Sequence, residues 1–67
     1  MPFDNPELLI EKLNDCKKKD LQEWCKYNFV KQSKNGVTNK FIMKINLFKY
    51  YINRYPTDEE EQKIIFG

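Results

Sequence analysis

Histidine and alanine are missing from this 67-residue chain, which also holds only two glycines, two cysteines and one tryptophan. Each shortage excludes something. Without histidine the commonest general base at neutral pH is gone, and a cysteine nucleophile would have no imidazole to activate it. Gly36 and Gly67 alone cannot build a glycine-rich phosphate loop. Cys16 and Cys25 stand nine residues apart with no ligand pattern around them, which argues against a zinc site. They read as buried thiols in a reducing compartment, with a disulfide between them as the alternative. The acidic run 58–61 lacks the spaced oxygen ligands and the glycine of a calcium loop; it reads as the solvated first turn of a helix. No apolar run is long enough to cross a bilayer, and an acidic N-terminus carrying Pro2 and Pro6 is no secretory leader. These exclusions point to a non-enzymatic intracellular protein, in the cytoplasm or in the nucleus or nucleoid of a host. No cofactor, metal or membrane association is expected.

Alanine is missing while lysine, asparagine and isoleucine abound. That balance fits AT-rich coding, as in a phage, a virus, a mobile element or an AT-rich microbe. The size allows one domain, residues 1–67, near the lower limit for folding alone. Little stability is to spare, so a large partner or self-association is a natural expectation. Ten aromatics and a 40% hydrophobic fraction suffice for a small core, and the charged residues are mixed in sign, which argues against disorder.

The net charge of +2 conceals a partition: −3 over residues 1–16, +8 over 17–55 and −3 over 56–67. A basic middle between acidic ends points to a polyanionic partner or to internal docking of the ends.

Local signals predict three to four short helices, an all-α fold with an extended loop before the main helix. Asn5-Pro6-Glu7 offers a cap, a first-position proline and an acid for the dipole, with Leu9, Leu13 and Cys16 at helical spacing to about residue 16. Phe3 is placed to fold back on this helix. The three lysines 17–19 interrupt the pattern, and Asp20 with Glu23 has capping-box spacing. A second helix from Leu21 to about Asn28 would bury Leu21, Trp24 and Cys25, and Asn28 would end it in a left-handed conformation. Phe29 and Val30 would follow as an extended piece tucked beneath the helices. Asn35-Gly36 marks a turn, with a β-hairpin as the alternative. Thr38 or Asn39 can cap a third helix from about Lys40 to about Asn53. Its wheel aligns Phe41, Ile45, Phe48 and Ile52, extended by Tyr55 if the helix reaches it, and leaves only a wedge at Asn46, Lys49 and Asn53 clearly polar. So apolar a helix is expected to be central, with an aromatic surface left for a partner as the alternative. Thr57 and Glu60 have capping-box spacing for a fourth helix ending in Ile64, Ile65 and Phe66. The expected core is Leu9, Leu13, Leu21, Trp24, Phe41, Ile45, Phe48 and Ile52.

Asp20-Leu21-Gln22-Glu23-Trp24-Cys25-Lys26, Val30, Ser33-Lys34-Asn35-Gly36, Lys40, Met43 and Leu47 together resemble the SAP motif family over residues 20–52. The resemblance implies a helix–extension–helix module that binds DNA through the loop and the start of its second helix, here Ser33, Lys34, Asn35, Gly36 and Lys40. The second helix is more aromatic here than in that family, and the stretch from Gly36 to Lys40 longer. Lys31 and Lys44 are added from the charge pattern, because lysines at a helix entrance suit phosphates. The leading expectation is thus a small nucleic-acid-binding module. The competing one is a protein-interaction module, such as a phage or viral inhibitor or a small subunit of a larger assembly, anchored by Tyr50, Tyr51, Tyr55, Ile64, Ile65 and Phe66.

Overall fold

In a computed structural model, residues 5–67 are described, and they form four helices: α1 (Pro6–Asn14), α2 (Lys18–Tyr27), α3 (Lys40–Ile52) and α4 (Asp58–Phe66). The fold is all-α. Phe3, expected against α1, lies outside the described residues.

Most helix starts follow from local chemistry. Asn5 Oδ1 accepts from the Glu7 and Leu8 amides at 2.9 and 3.4 Å, Asn39 Oδ1 from the Ile42 amide at 2.9 Å, and Thr57 Oγ1 from the Glu60 amide at 3.2 Å. Glu60 answers by accepting from the Thr57 amide at 2.9 Å, closing a capping box. Helix α2 departs from expectation. Lys18 and Lys19 form its first turn, and Asp20 is the third helical residue, its carboxylate accepting from the Lys17 amide at 3.3 Å. The lysine triplet therefore opens the helix instead of interrupting the chain.

The end of α2 differs as well. Asn28 keeps a negative φ of −103°, and the left-handed residue is Phe29, at φ +56°. That twist swings the Phe29 ring into solvent. Val30 alone packs against the core. At the far end of α3, Asn53 takes the left-handed conformation and stops the helix before Tyr55.

Helix α3 packs against each of the other three, α1 and α4 pack on each other, and α2 lies chiefly against α3. The central-helix expectation is met. Leu9, Ile10 and Leu13 of α1, Leu21 and Cys25 of α2, Met43, Leu47 and Phe48 of α3, and Ile64 of α4 form the buried core. Trp24, Phe41, Ile45 and Ile52, expected at its centre, lie half-buried at its edge. The inward stripe of α3 is rotated toward Met43 and Leu47 because α1 and α2 flank that side. Trp24 still joins two elements: its indole N–H donates to the Tyr51 hydroxyl at 2.8 Å. The linker between α2 and α3 is irregular except at Lys34 and Val37, whose backbone groups exchange two bonds of 2.9 and 3.0 Å. The described residues measure about 25 × 24 × 21 Å along their principal axes.

Candidate nucleic-acid interface

The turn at Asn35-Gly36 organises the linker. Asn35 (φ +53°) and Gly36 (φ +78°) are both left-handed, as a two-residue type I′ turn requires. The hairpin alternative is realised in miniature: the turn forms, but the ladder stops after the Lys34–Val37 pair. Upstream, the Asn46 side-chain amide donates to the Lys31 carbonyl at 2.7 Å and ties the linker to the middle of α3. Residues 34–40 are exposed without interruption, as is Lys31, while Ser33 is half-buried.

The lysines stand on both flanks of the α3 entrance. On one flank Lys34 borders a cleft of about 170 Å³ whose walls include Phe41, Ile45, Tyr55 and Pro56, with Glu61 as its acid. Lys49 Nζ donates to the Tyr55 hydroxyl at 3.2 Å and lies 4.4 Å from the ring centre. That bond and charge hold the Tyr55 phenol below its ordinary value, and Lys34 adds a smaller share. Lys49, which the wheel assigned merely to a polar wedge, thus joins Lys34 around Tyr55. Spacing in sequence carried no sign of this, since the meeting depends on the chain reversing after Asn53. On the other flank Lys40 borders a shallow depression with Phe41, Ile64 and Ile65. Helix α3 is also the one described helix whose first turn carries no acid.

Lys44 must be withdrawn from the proposed contacts. It is only 6% exposed, and its Nζ donates to Asn14 Oδ1 at 2.9 Å. Burial, then the neighbouring charge of Lys40, lowers its pKa. Asn14 in turn donates to the Lys63 carbonyl at 3.0 Å, so Lys44 helps to join α1, α3 and α4.

The alternative anchors divide in the same way. Ile64 is buried in the core and Tyr51 is held by Trp24, so neither offers its side chain freely to a partner. Tyr50, packed edge-on against Tyr51 with ring centres 4.9 Å apart, stays half-exposed, as do Tyr55 and Ile65, while Phe66 is largely exposed. Two more aromatics, Tyr27 and Phe29, are exposed; the sequence reading places Phe29 inward, and the left-handed turn at that residue reverses it.

Both thiols are free, Cys25 buried and Cys16 partly so. Burial raises the pKa of each, which leaves them poor nucleophiles. Among the described residues no cluster of Cys, Asp and Glu is placed to hold a metal ion, and no helix is long and apolar enough to cross a membrane. Compared with known protein families, curated proteins and solved structures, the chain matches none.

Proposed function

We propose that this protein is a small non-catalytic nucleic-acid-binding module, SAP-like in arrangement, that holds phosphates with Lys31, Lys34 and Lys40 and with the backbone of the Ser33–Lys40 loop. The observation that carries this reading is what folding leaves unpaired. None of Lys17, Lys18, Lys19, Lys26, Lys31, Lys34 or Lys40 forms an ion pair with another described residue. The described acidic ends leave these lysines without an ion pair, although Glu61 lines the cleft that Lys34 borders. The ends pack on each other through α1 and α4, where Lys63 lies 3.3 Å from Glu7 and 3.9 Å from Glu59, and Arg54 engages Glu60. A helix entrance without acids, flanked by unpaired lysines, suits phosphate oxygens. The helix–linker–helix order of residues 18–52 supports DNA as the polyanion.

Fluorescence anisotropy with labelled DNA and RNA across a salt series tests the reading. Each phosphate neutralised contributes about −0.9 to the slope of log affinity against log salt on duplex DNA. Lys34→Glu or Lys40→Glu should weaken binding to all sequences alike and lower the slope by about 1 each. Undetectable or salt-insensitive binding overturns the proposal.

The second reading, a protein-interaction module, is favoured by one observation. Ile65 and Phe66 expose apolar surface on the last turn of α4. Sedimentation of the protein alone and with lysate separates the two readings. A salt-resistant complex lost on Phe66→Ser would support this one.

A further inference from the structure

Helix α2 ends in a Schellman arrangement, in which the Phe29 amide donates to the Lys26 carbonyl at 3.3 Å and the Val30 amide to the Cys25 carbonyl at 2.8 Å. The residue that must turn left-handed to close these bonds is usually glycine; here it is Phe29, at φ +56°. A bulky side chain in that conformation is strained, and no packing offsets the strain, because Phe29 is 97% exposed. Tyr27, two residues earlier, is 82% exposed. Together with Lys26 and Glu23 the two rings line one shallow depression. In sequence the two rings stand between two cations, Lys26 before Tyr27 and Lys31 after Phe29, and neither lysine is ion-paired with a described residue.

We propose that Tyr27 and Phe29 stack on unpaired bases of a single-stranded nucleic acid while Lys26 and Lys31 take the flanking phosphates. The inference rests on the nucleic-acid reading above and deepens it by naming the strand state. Rings stack on bases whatever their identity, provided the base faces are open; in a duplex those faces are covered. Glu23 repels phosphate from the depression itself and leaves it to a base. The platform is held ready, because two backbone bonds fix the turn and Val30 anchors it to the core. A hydrophobic protein partner would gain nothing from lysines on both sides of the rings, whereas a polyanion does.

The full chain is titrated with labelled oligo-dT, oligo-rU and a hairpin duplex of equal phosphate number. Single strands should bind at least about tenfold tighter than the duplex, with Tyr27→Ala and Phe29→Ala each costing about tenfold on single strands and little on the duplex. Phe29→Gly, which relieves the backbone, should lose binding as Phe29→Ala does, showing that the ring and not the turn is at work. Equal losses on single strands and duplex, or no loss while Lys34→Glu still weakens binding, overturn the stacking and leave the phosphate reading standing. Binding to none of the probes at low salt removes both.

Discussion

Phe29 shows how much one residue can set against the fold. A Cβ in the left-handed region costs about 1–2 kcal/mol, and this ring recovers none of it by burial. Phe29→Gly should therefore stabilise the protein by about 1 kcal/mol, raising Tm by about 4–8 °C for a domain of this size; thermal melts followed by circular dichroism check it. Gain of stability with loss of binding is the pattern expected where strain serves a function. Lys44 is the opposite case, a charge spent on the fold. Its stem fills space among the core helices and its ammonium meets a carboxamide from α1. Neither residue was legible beforehand. The left-handed turn depends on which residue closes the helix, and the partner of Lys44 lies thirty residues away in sequence.

At the scale of the element, caps and turns decide where helices begin. Gly36 is required for its φ of +78° and not for space, since a Cβ there would meet no atom within 4 Å. Gly36→Ala should cost about 1 kcal/mol through strain alone, while Gly36→Asn, tolerant of that region, should cost less; urea unfolding distinguishes them. The α3–α4 connection has an electrostatic lock. Glu60 accepts from both Arg54 guanidinium nitrogens at 2.7 and 3.0 Å, and this bond, with the Thr57 cap, holds its carboxyl at about 2 instead of the ordinary 4.5. Because the folded value is the lower one, the contribution to stability is complete above the ordinary value. It fades as pH falls from 4.5 toward 2. Glu60→Gln should flatten the Tm profile over that window relative to the parent. The caps at Asn5 and Thr57 were readable because each acts within three residues; for α3 the sequence offers Thr38 or Asn39, and the structure uses Asn39. The start of α2 was not readable, because its first turn is lysine and nothing but Asp20, inside the helix, marks it. The α3 wheel correctly placed Phe48 in the core. It misjudged the centre because neighbours, not periodicity, choose which part of an almost wholly apolar helix faces inward.

For the whole molecule, stability of about 3–10 kcal/mol is expected from a size of 67 residues, and among the described residues nine buried apolar side chains form the core that supports it. Phe48 is the largest of those fully buried, and Phe48→Ala should cost about 3–5 kcal/mol, enough to leave much of the protein unfolded at room temperature by circular dichroism. The candidate contact loop was legible from charge and turn residues, since exposure of lysines and Asn-Gly needs no tertiary information. The pairing of Lys34 with Lys49 around Tyr55 needed the fold. The docking of α1 on α4 has a last consequence. By bringing the described acidic residues of α1 and α4 together while the lysines of α2 and the linker form no ion pair with a described residue, it separates charge within a molecule of net charge +2. Near a polyanion such a body feels a torque as well as an attraction, and both act within about 8 Å at physiological ionic strength. It would arrive already turned, lysines first, and added salt would slow its capture.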